Sequence, residues 1–250
     1  MEIELKNVSY NKYLKNINIK FKAGEVYGIV GKNSLYIKDI LLDNINNYKG
    51  EIIRDTSSIF YIDSSDVLFF TTTVKDEIKF VCQVKELNIN NIKQETIELF
   101  YKLGINEDLY NRNIYDLSRS EKYLLKIVIG FISNSNVIIF KDIFNNLDLR
   151  YRKKLKAIID SSVKDKIIIL FGEDVDIMYD LVNYIYIIKD SNVVISGNID
   201  KVYQNEKELT KYKVLIPSLC DIVFKAKKKG KKLAFRKDVR DTMKDIYRNV

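Results

Sequence analysis

The sequence has no histidine, a single proline, two cysteines and nine glycines among its 250 residues. Without histidine it cannot form a Ser-His-Asp or Cys-His nucleophile system, and a zinc enzyme is disfavoured because histidine is a principal zinc ligand. So little proline and glycine argues against long disordered linkers. Cys82 and Cys220 lie far apart and in no metal-ligand spacing, so we expect two reduced thiols in a cytosolic protein and no metal site.

Long apolar runs are also missing. No stretch reaches the roughly 18–20 apolar residues that cross a bilayer. The longest candidates, such as Ile167–Phe171 and Val137–Phe140, have the length of buried strands. Met1–Tyr10 alternates charged and apolar residues instead of carrying the apolar run of a signal peptide. We therefore expect neither a membrane span nor a cleaved leader.

The composition is otherwise that of a globular protein, with 46% apolar and 30% charged residues, and its length suits one sizeable domain plus a small appendage. The formal net charge is +8, and part of it lies in the basic run Lys225–Lys232 (KAKKKGKK). Such a run suits an anionic lipid surface or nucleic acid. A solvated helix end is the reading we favour, because the run is short and has no interleaved aromatic residues. We expect no nucleic-acid partner.

The first third of the chain has a pattern that can present backbone to a phosphate. Strands are predicted at Ile3–Val8, Ile17–Phe21 and Val26–Val30, the last an apolar run of the kind buried in an α/β sheet. Gly31–Ser34 follows as a turn, and a helix is predicted over Ile37–Ile45. A strand, a glycine turn and a helix in this order present backbone N–H groups at the start of the helix, where they can bind a phosphate.

The rest of the chain alternates strands and helices, which predicts an α/β fold with a mostly parallel sheet and helices outside it. Further strands are expected within Glu51–Ile62 and at Val137–Phe140, Ile167–Phe171, Tyr184–Ile188 and Val193–Ser196, the last two as a hairpin. Helices are expected at Ile92–Leu103, at Glu121–Ile132 with Ser118 as N-cap, and at Arg150–Ile159. Residues 206–250 are predicted to form short helices broken at Pro217 and Gly230.

Several segments resemble, in order along the chain, the motifs of ATP-binding cassette (ABC) ATPases. In that family a strand ends in an aromatic residue, and G-x-N-G-x-G-K-S/T, L-S-G-G-Q, D-E-P-T-S-x-L-D and T-H-D follow. The corresponding segments here are Asn7–Tyr10, Gly24–Asn33, Leu117–Glu121 (LSRSE), Val137–Asp148 (VIIFKDIFNNLD) and Ile168–Asp174 (IILFGED).

The end of the chain narrows the resemblance. Lys213–Arg240 is similar to the C-terminal extension of the ATPases of energy-coupling-factor (ECF) transporters, in which an apolar-apolar-Pro step precedes a helix, a Lys/Arg-Gly break and a final helix. The resemblance implies a P-loop NTPase core over residues 1–205. That core would have an N-terminal antiparallel part and a helical subdomain at about 66–132, and residues 206–250 would form the small helical extension.

The resemblance also implies a Mg–ATP site, but many of its residues are replaced. Residues 34–39 stand where G-S-G-K-S-T is expected, so Tyr36 replaces the glycine nearest the phosphates and Ile37 replaces the phosphate-binding lysine. Glycine serves there because its backbone approaches the phosphates closely. Lys38 comes one residue late, which on a helix is a rotation of about 100°. Asp39 stands at the threonine position and would repel a phosphate.

The acidic positions are altered as well. Counted back from Asp148, the magnesium-orienting aspartate falls on Lys141 and the general-base glutamate on Asp142. In a register shifted by one residue, Asp142 becomes the magnesium ligand and Ile143 the base, so one acid is missing either way. The glutamine that senses the γ-phosphate falls on Asp63 and the switch histidine on Glu173, which puts an anion near a polyanionic ligand in both cases.

Three further positions carry over from the family. Tyr10, or alternatively Tyr13, matches the aromatic residue that stacks on adenine. Ser118 remains in the signature segment, either as a phosphate contact in the partner's site or as a plain N-cap, while its glycines have become Arg119 and Ser120. The sequence leaves open whether Arg119 assists or blocks that site. The candidate ATP-contacting residues are therefore Tyr10, Gly31, Asn33, Lys38, Asp63, Ser118 and Asp148.

The function implied is that of a degenerate, non-hydrolysing subunit of an ECF-type transporter for a vitamin or metal ion, with ATP and Mg²⁺ bound weakly or not at all. It would lie at the cytoplasmic face of the cell membrane, beside a membrane-embedded scaffold and an active ATPase paralogue or a second copy. The alternatives are a divergent but competent ATPase and a scaffold or regulatory protein outside transport. Ser64–Phe80 is similar to the segment after the family's Q-loop and brings six apolar residues close together: Val67, Leu68, Phe69, Phe70, Val74 and Ile78. We expect several of them in the core and the others at the surface, as a docking patch for the scaffold.

Overall fold

The computed structural model describes residues 1–63, 69–142 and 147–249. Its strands are β1 (Glu2–Tyr10), β2 (Leu14–Lys22), β3 (Val26–Val30), β4 (Lys49–Arg54), β5 (Ile59–Asp63), β6 (Val137–Lys141), β7 (Ile167–Phe171), β8 (Tyr184–Lys189) and β9 (Asn192–Asn198). Its helices are α1 (Ser34–Leu41), α2 (Val74–Val84), α3 (Ile89–Leu103), α4 (Arg119–Ile132), α5 (Leu149–Ser162), α6 (Val175–Leu181), α7 (Ile199–Gln204), α8 (Glu206–Lys211), α9 (Ser218–Lys228) and α10 (Val239–Asn249).

The chain divides into two compact units. The first is built mainly from Arg54–Ile169, with short additions from Met1–Glu2 and Lys22–Gly24. The second comprises Ile3–Phe21, Glu25–Ile53 and Leu170–Val250. The boundary between residues 205 and 206, inferred from the resemblance, stays a prediction.

In the first unit, β5 and β6 pair in parallel, with Asp63 opposite Lys141 at their carboxyl ends. The first four residues of β6 are fully buried, as their unbroken apolar run predicts. Helices α2, α3 and α4 form the predicted helical segment, and α4 is buried along much of its length. Among the residues that the structure describes, no helix is both long and apolar enough to span a bilayer.

In the second unit, β1 lies between β2 and β4 in one sheet. A further set of strands pairs β3 with β8 in parallel and β8 with β9 as the predicted antiparallel hairpin. Gly31 ends β3 with φ of +119°, and a Cβ there would lie 2.0 Å from the carbonyl oxygen of Ile188. Only glycine fits this turn, because the backbone of β8 occupies the space of a side chain.

Most predicted elements are confirmed, and β3 and β7 match residue for residue. The prediction for the first helix was wrong at both ends, since α1 begins at Ser34 and ends at Leu41 rather than spanning Ile37–Ile45. The helix stops because Asp43 takes a left-handed conformation with φ of +59°. The N–H groups of Asn44 and Ile45 then turn back to the carbonyl oxygen of Asp39.

Candidate functional site

The turn aligned with the family's phosphate loop leads into α1, whose side chains lie differently from those of a phosphate site. Ile37, at the lysine position, is fully buried in the core. The ammonium group of Lys38 lies 2.8 Å from the carboxylate of Asp39, the residue at the threonine position. The lysine of α1 therefore already contacts a carboxylate.

Three tyrosines pack together where the resemblance places the adenine and the inner glycine. The ring of Tyr36 stacks on that of Tyr13, with centroids 4.3 Å apart and planes inclined by 18°. Tyr10 lies 5.6 Å from Tyr36 and 6.2 Å from Tyr13, measured between ring centroids. Desolvation raises the pKa of Tyr36, and its hydrogen bond with Tyr13 adds to the shift. Tyr36 thus covers one face of Tyr13, the alternative adenine-stacking residue, whereas the ring of Tyr10 is inclined to both.

Hydrogen bonds hold the segment that carries this tyrosine cluster. The side-chain amide of Asn33 donates to the carbonyl oxygen of Tyr13 at 2.9 Å. Ser191, in the turn of the β8–β9 hairpin, donates from its hydroxyl to the carbonyl oxygen of Lys12 and accepts the N–H of Lys15 at its own carbonyl oxygen, both at 2.7 Å. Asn33, predicted as an ATP contact, therefore acts here as a brace for the tyrosine segment.

At the carboxyl ends of β5 and β6, two replaced positions bind each other. The ammonium group of Lys141 lies 3.0 Å from the carboxylate of Asp63, and both side chains are mostly buried. The hydroxyl of Tyr61 donates to the same carboxylate oxygen at 2.7 Å. The ammonium of Lys141 therefore occupies the neighbourhood that the resemblance assigns to a magnesium-orienting carboxylate. Sequence reasoning named both positions but missed the pair, because it depends on the register in which β5 pairs with β6.

The other predicted acidic residues have separate roles. Asp142 has a left-handed backbone with φ of +51°, and Ile143, its alternative in the shifted register, lies outside the described residues. Asp148 caps α5 by accepting the N–H of Tyr151 at 2.9 Å. Glu173 is exposed and lines a cavity of about 280 Å³ in the second unit. Their assignment to catalysis or to ATP stays a prediction.

The signature segment opens α4 with a capping box. The hydroxyl of Ser118 accepts the N–H of Glu121, and the carboxylate of Glu121 accepts the N–H of Ser118 at 2.8 Å. The side-chain hydrogen bond with Ser118 lowers the pKa of Glu121, and the guanidinium of Arg112 lowers it further. Arg119 is exposed beside the cap. The N-cap role of Ser118 is confirmed, while its contact with a partner's phosphate stays a prediction.

An apolar cavity lies in the first unit beside the segment for which a docking patch was predicted. A cavity of about 320 Å³, called here the apolar groove, is lined chiefly by Phe60, Phe69, Phe70, Phe80, Val84 and Ile129. The side chain of Phe70 is 80% exposed and that of Val84 is 62% exposed. Val74 and Ile78 are fully buried on the core face of α2, as expected for part of this set. Val67 and Leu68 lie outside the described residues.

A buried carboxylate holds the loop that presents Phe70. Glu77 is 4% exposed, and one of its oxygens accepts the N–H groups of Phe70 and Thr71 and the hydroxyl of Thr71 at 2.9–3.0 Å. Lys85 and Lys126 give the groove a basic rim. An exposed phenylalanine on a braced loop, above an apolar cavity, has the form of a protein-docking anchor.

Comparisons with known proteins agree with this fold. No family model matches the chain. The energy-coupling factor transporter ATP-binding protein EcfA2 of Clostridium acetobutylicum is 23% identical over 92% of this chain and 91% of its own. EcfA2 of Streptococcus agalactiae is 22% identical over 92% and 93%. A Clostridium tetani protein named as an ABC transporter ATP-binding protein is 23% identical over 89% of this chain, which spans only 55% of that relative's length.

Solved structures give the same answer. CbiO1 of Clostridium perfringens, described as part of the ABC transporter complex CbiONQ, superposes with a TM-score of 0.68 at 22% identity, covering 88% of this chain and 97% of its own. An ATP-binding subunit of an ABC transporter superposes with a TM-score of 0.73 at 16% identity, over 86% and 98%. The chain has the fold of ABC ATPases, and its predicted resemblance to ECF ATP-binding subunits is confirmed.

Proposed function

We propose that this chain is an ATPase-like subunit of an ECF-type uptake transporter that does not hydrolyse ATP itself. It would lie at the cytoplasmic face of the cell membrane, bound to a membrane-embedded scaffold and paired with an active ATPase subunit. The observation that carries the proposal is the ion pair between Lys141 and Asp63. The proposed lack of ATP hydrolysis rests on the chemistry of the replaced residues. The proposed place in a transporter rests on the similarity to EcfA2 proteins.

The residues present do not fit Mg–ATP. A magnesium ion takes oxygen ligands, which an ammonium group cannot supply. In this chain the ammonium of Lys141 is bound to Asp63, so one cation already neutralises the carboxylate of the neighbouring strand. A divalent ion placed close by would be repelled by Lys141.

The tyrosine cluster supports the same conclusion for the nucleotide itself. Tyr36 stacks on Tyr13, so a base reaches that face of the Tyr13 ring only if Tyr36 is displaced. Ile37 places an apolar side chain in the core where the family has a phosphate-binding lysine. The replaced residues, among them Ile37 and Lys141, stand for different catalytic groups of the family. Loss of each such group from a phosphoryl-transfer site typically lowers the rate on the order of 10²–10³-fold.

The direct test is magnesium-dependent ATP hydrolysis by the purified full-length chain. We expect no phosphate release above that of a heat-denatured sample. The same chain mixed with its partner ATPase subunit should hydrolyse ATP at a rate that depends on the partner's general-base residue alone. Turnover of about one per second or more by the isolated chain would show that it is a divergent but competent ATPase.

The transporter part is tested separately, by purifying the tagged chain from native membranes in mild detergent. We expect to recover a second ABC ATPase subunit and a polytopic membrane protein. Recovery of the chain alone, or as a homodimer without membrane protein, would contradict the transporter assignment and favour a scaffold or regulatory role. Because no ATP is needed, this result is independent of the hydrolysis assay.

A further inference from the structure

The cavity that Glu173 lines in the second unit lies at the carboxyl ends of two parallel strands. Its volume is about 280 Å³, and β3 and β8 contribute to it where Val30 lies opposite Ile187. Small ligands of α/β proteins bind preferentially at this edge of a sheet. The volume of this strand-end cavity is just below the roughly 300–1,000 Å³ of sites for drug-sized ligands, so it suits a molecule of the size of a free amino acid.

The apolar wall of the strand-end cavity is aliphatic. Leu215 is 69% exposed, so this wall can be reached from solvent. No aromatic ring lines the cavity in the part of the chain that the structure describes. Such a wall favours an aliphatic group of a ligand, because contact removes apolar surface from water. Its members are Val30, Val175, Ile187, Ile188, Val214 and Leu215.

Two side chains of opposite charge line the same cavity. Glu173 follows β7 and Lys213 follows α8, and both residues are exposed. Neither forms an ion pair with any residue within the described ranges. Lys189 lines the cavity as well, but its ammonium group donates to the carbonyl oxygen of Tyr212. One carboxylate and one ammonium group are therefore available to a ligand.

The end of α8 fixes the backbone of Lys213 at the cavity. The N–H of Lys213 donates to the carbonyl oxygen of Thr210 at 3.1 Å, and the N–H of Val214 donates to that of Leu209 at 2.9 Å. Lys213 takes a left-handed conformation with φ of +51°, which glycine or asparagine adopts more readily at a helix end. A lysine held in this conformation is consistent with a role for its side chain.

We propose that the strand-end cavity binds an aliphatic α-amino acid, such as leucine, as a zwitterion. The carboxylate of Glu173 binds the ammonium group of the ligand, and the ammonium group of Lys213 binds its carboxylate. The aliphatic wall receives its side chain. A few placed polar groups beside an apolar wall are the usual form of a small-molecule site. The proposal does not rest on the proposed function, since binding is measured with the isolated chain.

Two other occupants fit this cavity less well. The resemblance to ECF ATPases implies a contact between ATPase-like subunits through residues 206–250, which would bring a partner's side chain to Lys213–Leu215. A single apolar side chain would make no use of the two opposite charges. Gly31 and Glu173 also stand at ATP-site positions of the family, but a triphosphate would place its negative charges beside the carboxylate of Glu173.

The experiment is a titration of the full-length chain with leucine, followed by NMR of labelled isoleucine, leucine and valine methyl groups. We expect saturable shifts at Ile187, Ile188 and Val214, with a dissociation constant below about 1 mM. Isocaproate lacks the ammonium group of leucine and isoamylamine lacks its carboxylate, so each should bind about fivefold more weakly or worse. Equal binding of either analogue, or no saturation by leucine up to about 10 mM, would overturn the proposal.

Paired variants test each charge against the analogue that does not need it. Glu173→Gln should weaken leucine binding about fivefold or more without weakening that of isocaproate. Lys213→Gln should weaken leucine binding to a similar extent without weakening that of isoamylamine. Equal losses for leucine and the indifferent analogue would show that the charges do not recognise the ligand, and would contradict the proposal.

Matched controls and the other occupants complete the test. Glu51→Gln and Lys207→Gln make the same changes at exposed positions of the second unit that do not line the cavity, and should leave all three affinities within about twofold. Magnesium ATP that shifts the same methyl groups at lower concentrations than leucine would assign the cavity to a nucleotide instead. A dimer of the chain that Leu215→Ala dissociates in sedimentation velocity would assign it to a second copy. Far-ultraviolet circular dichroism checks that each variant is folded.

Discussion

At the scale of one residue, Ile37 shows that the phosphate-loop segment differs from the family's by more than the replacement of a lysine. Its side chain is fully buried in α1, beside the equally buried Ile40 and Leu41. Lys38 meanwhile is bound to Asp39. The position aligned with the family's lysine therefore lies in the core of this protein. The replacement of lysine by Ile37 changes the packing at this position as well as its charge.

Replacing Ile37 by Lys should destabilise the protein without restoring ATP hydrolysis. An ammonium group at a fully buried position loses its hydration, so we expect the free energy of unfolding to fall by about 3 kcal/mol or more. Ile37→Met has similar length and no charge, and should cost less than about 1.5 kcal/mol. Urea denaturation followed by circular dichroism measures both. A stable Ile37→Lys variant that hydrolyses ATP would mean that α1 presents this position to a nucleotide.

At the scale of single elements, the segment aligned with the family's signature motif forms the capping box that begins α4. Ser118, which this segment shares with the motif, therefore has a structural role. Ser118 and Glu121 satisfy each other's N–H groups, while Arg119 and Ser120 stay exposed. The box makes Ser118 a structural residue whether or not a partner's phosphate ever meets it.

Ser118→Ala should lower the free energy of unfolding by about 1 kcal/mol at neutral pH. Because the folded state lowers the pKa of Glu121, its stabilisation is complete above the ordinary value of 4.5 and is lost as pH falls through the lowered value. The difference between Ser118→Ala and the unchanged protein should therefore shrink on acidification. Ser120→Ala, two residues after Ser118 and outside the box, should have little effect at any pH. A Ser118→Ala difference that does not change with pH would show that Glu121 plays no part.

The elements were more predictable from the sequence than the contacts of the site. Unbroken apolar runs located β3 and β7, and Ser118 was identified as the N-cap of α4. The pair of Lys141 with Asp63 depends on the parallel register of two strands separated by more than 70 residues, which no local pattern specifies. The stacking of Tyr36 on Tyr13 likewise depends on how α1 meets the segment after β1.

At the scale of the whole molecule, the apolar groove is the surface at which the proposed membrane partner would dock. Its floor is aromatic, its rim carries Lys85 and Lys126, and Phe70 is held outwards by the hydrogen bonds of Glu77. A partner segment with apolar anchors and acidic flanks would match this surface.

Phe70→Asp combined with Val84→Asp should reduce recovery of the membrane partner by about tenfold or more, because an apolar anchor becomes a charge that must be desolvated. Tyr101→Asp is the matched control, since Tyr101 is 85% exposed on α3 and does not line the groove. Recovery is measured by quantitative mass spectrometry after purification from detergent-solubilised membranes. Equal recovery with folded double variant and control would place the docking site elsewhere.

The ion pair of Lys141 and Asp63 also bears on how such a chain could change over generations. An Asp at position 141 alone would set a carboxylate beside that of Asp63, and like charges on adjacent strands are destabilising. A Gln at position 63 alone would take the carboxylate away from the largely buried ammonium of Lys141. Each single replacement is therefore expected to lower stability, so the residues that the family carries at these two positions can be restored without that cost only when both change together. Under the proposed function, the ion pair would thus keep this chain dependent on an active partner subunit.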